Sequence, residues 1–312
     1  KKPTNEVELV DLESSLEQFR AVDHKTLVDE FIEIKQWQDL IFDTKFVLTS
    51  ADFKAIHESA VWVQSINTSM LEREADLRKE RETLENKFKM QRMKFIDDLN
   101  AYIAVVRKFK DAGNIRQMDE YLERTLALKE KFERAKFDAE KLNEKEILLG
   151  WDASDFEQLN EGLRMLEPYQ KLWTLAYDFS KAHQQWTRGP LFQLDPQAVD
   201  AEANQMFMTC EGLIKFFFDK EQPIPAGAAE HIRKQLDAFK QNLGLVHSLC
   251  NTALRPRHWE EISNVVGFAI EPDPSFTLSR LIDMDIGKHI EQLQNISKAA
   301  AKESQIEKSH VC

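Results

Sequence analysis

Arg255, Arg257 and His258 stand close together, with Pro256 between the arginines and Trp259 beside the histidine. Two neighbouring guanidiniums can grip a phosphate, and an imidazole can move a proton near neutral pH. The surrounding residues argue for a quieter role. Glu260 and Glu261 follow directly, and no serine or cysteine with a nucleophile signature accompanies the histidine. Pro256 suits a first helical position, which predicts a short helix from Arg257 to Val266 stopped by Gly267. On that helix His258 and Ile262 share a face, while Arg257 and Trp259 point to different sides. Trp259 is therefore read as a core anchor, with Arg255 and Arg257 paired to acids or buried carbonyls.

Other chemistry is missing from the spacing. Gly150 and Gly162 are the closest two glycines in the chain, so neither a phosphate loop nor a dinucleotide-binding turn can be built. No zincin, nucleophile-elbow or calcium-loop motif occurs. Cys210, Cys250 and Cys312 are far apart, which fits a reducing compartment, and His247 with Cys250 is half a metal site at best. The sequence gives no grounds for catalytic, cofactor-binding or metal residues. A net charge of −12 over 312 residues argues against nucleic acid as a partner for the whole surface. No apolar run approaches a bilayer span, and the start of the chain lacks a signal peptide, so a soluble protein is expected. The missing initiator Met, and a last helix that runs almost to Cys312, suggest a piece of a longer chain.

The elements that must position these residues are helices throughout. No proline lies between Pro3 and Pro168, and long helices are the simplest use of such a stretch. Phe53, Ile56, Ala60, Val63, Ile66 and Met70 step by three and four, and the apolar face resumes at Leu84, Phe88, Phe95, Leu99 and Tyr102. One rod from about Ala51 to Asp111 follows. Between those faces Glu72 to Glu82 is almost wholly charged, and is expected to be a solvent-washed stretch held by pairs such as Glu74 with Arg78. Gly113-Asn114 turns the chain into a helix running to Leu149, giving an antiparallel hairpin with Phe95 near Phe132. Leu12, Leu16, Leu27, Ile34 and Leu40 supply earlier helices to cover it. An interrupted heptad pattern disfavours a dimeric coiled coil.

After Gly150 tryptophans and prolines become frequent, and shorter helices are expected. Phe156 to Leu166 forms one, capped by Asp152 to Asp155 and broken or kinked by Pro168. Trp173 and Trp186 share the stripe of the next. Asp195-Pro196 caps another, Ala228 to Asn251 is a further helix, and Thr277 to Met284 and Asp285 to Lys308 complete the series. Phe216-Phe217-Phe218 is either a docking site or, as preferred here, a triplet buried on two sides. Trp151, Trp173 and Trp186 are read as core anchors. The fold class is all-α: an elongated stack of helical bundles with a long hairpin in 1–150 and shorter helices in 151–312.

Leu254-Arg-Pro-Arg-His-Trp259, after Leu249-Cys-Asn-Thr-Ala253, resembles the R-x-R-H-W signature in the linker region of dynein heavy chains. Trp173, Trp186 and Gly189-Pro-Leu-Phe-Gln-Leu-Asp195 upstream are similar to that family's spaced tryptophans and turn. Phe276-Thr-Leu278, His289-Ile290, Ala301-Lys302-Glu303 and Ile306-Glu307 follow in the family order, closer to axonemal members than to the main cytoplasmic one. The resemblance implies that 1–150 is the distal tail and 151–312 the first part of the linker, the lever over the AAA+ ring. It makes this a non-catalytic mechanical segment of a minus-end-directed microtubule motor that drives ciliary or flagellar beating. ATP and magnesium would belong to the ring. The implied partners are the rest of the heavy chain with its AAA+ ring, then other heavy chains and intermediate or light chains, with the microtubule reached only through the parent. Neither nucleic acid nor membrane is expected, and the implied location is the cytoskeleton of a cilium or flagellum. A spectrin-like scaffold explains the first half equally well but not the ordered motifs after Gly150.

Overall fold

The computed structural model describes all residues except Lys1, Lys45, Glu271, Pro272, Pro274, Ser275, Val311 and Cys312, and the side chains of 308–310. The expectation for Cys312 therefore lies outside the described residues. Among those described there are helices and no strands. The chain packs as two units, Lys1–Asn100 with Arg134–Leu159, and Ala101–Glu133 with Asn160–Cys312.

In the first unit α1 (Glu6–Phe19) starts at Asn5, whose side chain accepts the Glu8 N–H, and passes through a π turn into α2 (Lys25–Asp43). The long helix α3 (Ser50–Lys108) is unbroken, because no glycine or proline interrupts it. Leu9 of α1 sits in a core with Leu77 and Phe88 of α3 and with Leu149, and Leu12, Leu16, Leu84, Leu142 and Trp151 pack around it. The charged stretch of α3 is thus not washed on all sides. Leu77 is buried, Arg81 forms a two-pronged pair with Glu13 of α1 at 2.9 Å on each side, and Glu74 pairs with Arg20 at 2.6 Å rather than with Arg78. Complementary charges on the neighbouring segment cover what periodicity alone assigns to water, and the bonds from Glu13 push the Arg81 pKa upward. The second early helix departs from expectation in the other direction. No residue of α2 is buried, and Leu27, Ile34, Trp37 and Leu40 stay exposed.

The returning helix α4 (Met118–Leu148) runs antiparallel to α3. In the first unit Lys145 lies over the Phe88 ring, and Arg92 Nε is 3.2 Å from the buried Glu146 carboxylate, without hydrogen-bond alignment. Glu146 also accepts the Ser154 N–H and hydroxyl at 2.6 and 2.7 Å, so Ser154 is hooked to α4 instead of capping the next helix. Gly150, at φ +79°, ends α4 in the left-handed conformation that glycine adopts freely.

In the second unit the rings of Tyr102 and Phe132 meet edge to face at 5.7 Å, which is the register that places Phe132. Phe95 instead meets Phe156 within the first unit. The connection between α3 and α4 carries two short 3₁₀ turns, Phe109–Asp111 and Ile115–Gln117, where a single tight turn at Gly113-Asn114 was expected. Gly113 matters by its lack of a side chain, since a Cβ there would stand 2.5 Å from Ile224 Cγ2.

Helix α5 (Glu157–Arg188) continues through Pro168 as one element, so the proline does not break it into the two helices expected. Its apolar stripe of Leu166, Tyr169, Leu172, Trp173, Ala176, Phe179 and Trp186 is buried, and packing of that length outweighs the bond the proline removes. After a 3₁₀ turn at Leu191–Gln193 come α6 (Pro196–Asp219), α7 (Pro223–Lys240) and α8 (Leu243–Leu249). Pro223 and Pro225 lie in the first turn of α7, where N–H groups have no intrahelical partner to lose. The expected single helix from Ala228 to Asn251 is split between Lys240 and Leu243. Of the phenylalanine triplet only Phe217 is buried, with Phe216 39% and Phe218 78% exposed. The chain ends in α9 (Pro256–Val266), α10 (Leu278–Asp283), a 3₁₀ turn at Ile286–His289 and α11 (Ile290–His310).

Candidate functional site

The start of α9 is built as its residues dictate. Arg255 is extended, Pro256 takes the first helical position, and Gly267 closes the helix at φ +83°. His258, three places after Arg255, accepts the Arg255 N–H on Nδ1 at 3.0 Å. That is the bond a glutamate or glutamine supplies in a capping box. With Nδ1 accepting, the ring proton sits on Nε2, which lies 3.1 Å from Glu303 Oε2 on α11. Arg257 hydrogen-bonds the same Glu303 oxygen, and Arg255 reaches Glu307 Oε2 at 3.0 Å. The Arg257 guanidinium, with a smaller contribution from His258, holds the Glu303 carboxyl below its usual range. Glu303 and Glu307 are one turn apart on α11, so two arginines and one histidine clamp a single stripe of that helix.

A second tie lies on the same helix. Asn251 donates to the Ser297 carbonyl and hydroxyl at 3.0 and 2.8 Å, while its own side-chain oxygen accepts the Ala253 N–H. The loop between α8 and α9 is thereby fixed to α11. Leu191 joins three segments through its backbone and is itself fully buried. Its N–H donates to Phe276 O at 2.9 Å, and its carbonyl accepts the Cys250 thiol at 3.1 Å. Burial pushes the Cys250 thiol up to about 12.

Trp259 differs from its expected place. It is half-buried, meets Phe192 edge to face at 5.3 Å, and lines an open cleft with Pro256, Ser263 and Ile270. His258, 4% exposed, is the buried member of the motif. Pro at the first position turns the third helical residue inward with Ile262, which leaves Trp259 at the rim. Trp173 and Trp186 make their contacts elsewhere: Trp173 is fully enclosed 4.5 Å from the Tyr121 ring, and Trp186 stacks on Phe239 at 4.7 Å. Lys302 is exposed on α11. The structure therefore gathers Arg255, Pro256, Arg257, His258, Trp259 and Glu303, and leaves Trp173, Trp186 and Lys302 outside that junction. Glu307, Asn251 and Leu191 belong to it and were named from sequence only as members of the resembling motifs, without a role, while Ser297 was not singled out. The four-residue step from Glu303 to Glu307, matched to the two-residue step from Arg255 to Arg257, is the signal that could have found the first of them.

This arrangement suits holding and not turnover. Both guanidiniums already face carboxylates, and both nitrogens of His258 are occupied inside the protein. Among the described residues no group of three or more His, Cys, Asp or Glu side chains is placed to hold a metal, and no helix is long and apolar enough to cross a membrane.

The profile of the family described as dynein heavy chain, N-terminal region 2, matches residues 159–310. Residues 159–310 belong to the dynein heavy chains. The match spans the whole junction, from Leu191 through Arg255–Trp259 to Glu307. Among relatives, dynein axonemal heavy chain 3 of Homo sapiens is 33% identical over 64% of this chain and 5% of its own length. Dynein axonemal heavy chain 1 of Mus musculus is 24% identical over 96% of this chain and 8% of its own. Dynein axonemal heavy chain 12 of Homo sapiens is 22% identical over 99% and 10%. The chain thus spans a tenth or less of these dynein heavy chains, and it matches their N-terminal region and not their AAA+ modules.

Proposed function

We propose that this chain is the mechanical connection between the tail and the linker lever of a dynein heavy chain, with 1–150 as distal tail and 151–312 as the first part of the linker. It holds no cofactor and does no catalysis. It passes on the force of an ATP-driven power stroke made by the AAA+ ring of the parent motor on a microtubule, within the axoneme of a cilium or flagellum. The observation that supports this reading is the junction itself. Segments scattered from Leu191 to Glu307 converge there and are tied by short polar bonds around a packed interior, and close-packed interiors resist compression.

The test is a charge swap in the whole heavy chain. Arg257→Glu is expected to slow microtubule gliding while leaving the ring's basal ATP turnover in place, and adding Glu303→Arg is expected to restore gliding. Unchanged gliding in the single variant counts against the reading. Titration of the isolated chain with ATP and magnesium is expected to give no heat of binding.

A further inference from the structure

We propose that the groove between α5 and α6 is a docking site for a short acidic peptide segment that inserts one large apolar side chain. The groove holds about 370 Å³ and is lined by Pro168 of α5 and by Gly212, Leu213 and Phe216 of α6. Three features distinguish it from an ordinary seam between packed helices. At Gly212 no atom beyond its chain neighbours and its own helix backbone lies within 4 Å of where a Cβ would stand, so α6 leaves open a space that a larger residue would fill. Phe216 keeps 39% of its surface exposed beside that space, and covering an aromatic face is favourable. Pro168 lies within α5 and lines the groove, and having no N–H it removes the helical hydrogen bond that the Arg164 carbonyl would otherwise accept.

Charge selects the occupant. Arg164 and Lys171 line the groove, and Glu167, the only carboxylate among the described residues lining it, is tied to Lys171 at 2.6 Å. The Lys171 ammonium holds that carboxyl below its usual range, so Glu167 stays ionised and spent on its partner. Arg164 bonds through Nε to the Asn160 carbonyl of its own helix at 3.3 Å, and its charge faces no carboxylate other than Glu167 within the groove lining. A contiguous depression along α5 adds Lys129, with Asp178 also in its lining. With Lys171 and Glu167 paired, Arg164 leaves the groove lining with one net positive charge on a chain of net charge −12, and steering favours such a place for an acidic segment. This surface lies on α5 and α6 and not on the clamp to α11, so it stands or falls apart from the lever role.

The 312-residue chain is titrated, by fluorescence polarisation, with a short fluorescein-labelled peptide carrying a central Leu-Phe pair flanked by glutamates. Two control peptides replace the flanks by lysines, or the central pair by serines. Saturable binding is expected for the first peptide alone. Gly212→Leu, which fills the groove and raises helix propensity, and Arg164→Glu are each expected to weaken it roughly tenfold or more, about 1.4 kcal/mol per factor of ten. Phe218→Ser, which removes an exposed phenylalanine outside the groove lining, is expected to leave it unchanged. No saturable binding, equal binding of the lysine-flanked peptide, or full affinity in Gly212→Leu each overturns the proposal. Protection of Phe216 from hydroxyl-radical labelling in a longer stretch of the heavy chain without peptide also overturns it, because the chain itself would then fill the groove.

Discussion

His258 and Glu303, forty-five positions apart, meet at 3.1 Å, and the histidine's other ring nitrogen caps its own helix by accepting the Arg255 N–H. One buried side chain thus fixes both where α9 begins and which face of α11 it touches. The bond to the backbone fixes the tautomer, and the tautomer makes the bond to Glu303 possible.

Replacing that side chain separates the two roles. His258→Ala leaves the Arg255 N–H without its acceptor in a partly buried place, and is expected to cost about 1 kcal/mol. His258→Gln keeps an acceptor at the capping position and should recover part of the loss. Urea midpoints of the three proteins measure this; equal destabilisation by both substitutions would show that the cap bond contributes nothing.

Acid should loosen the clamp through Glu303. Its folded pKa is lowered from an ordinary value of 4.5, chiefly by the Arg257 hydrogen bond. Its contribution to stability is therefore complete above about 4.5 and is lost as pH falls through the lowered folded value. The stability advantage of the native protein over Glu303→Gln should be constant at neutral pH and vanish in acid. An advantage that grows on acidification would contradict this sign.

The three tryptophans should rank by enclosure. Trp173→Ala and Trp186→Ala remove fully or almost fully enclosed rings and should each cost about 3–5 kcal/mol. The half-buried Trp259 should cost roughly 1–2 kcal/mol on truncation. The indole N–H of Trp173 has no hydrogen-bond partner, so Trp173→Phe should be much milder than Trp173→Ala. Denaturant midpoints give the order, and a Trp259→Ala loss equal to that of Trp186→Ala would place the ring deeper than its cleft allows.

Cys210 and Cys250 should resist alkylation. Burial pushes both thiols up to about 12, against roughly 8.5 for a free thiol, so the reactive thiolate is scarcer by about three orders of magnitude or more in the native protein than in urea. Iodoacetamide labelling at mildly alkaline pH, mapped by mass spectrometry, should modify both only after denaturation. Rapid native labelling of Cys250 would mean that its bond to the Leu191 carbonyl opens readily.

Periodicity and the scarcity of breakers were enough to read the helices of this chain. The unbroken run of α3, the return of α4, the start of α9 at Pro256 and its stop at Gly267 all follow from local spacing, because a helix is held by bonds within a few residues of one another. The order of the motifs after Gly150 was enough to recognise the family. Decisions between segments were out of reach. Whether Pro168 breaks α5 depends on the buried stripe opposite it, and whether Glu72 to Glu82 faces water depends on Glu13 and Arg20, far away along the chain. The fate of the Arg255–Trp259 motif was decided in the same way. Its residues have two plausible inward choices, and only the position of Glu303 and Glu307 on α11 makes His258 the enclosed one and leaves Trp259 at the rim. Such choices rest on desolvation and on pairing with distant partners, quantities that no local spacing contains and that exist only once the helices have packed.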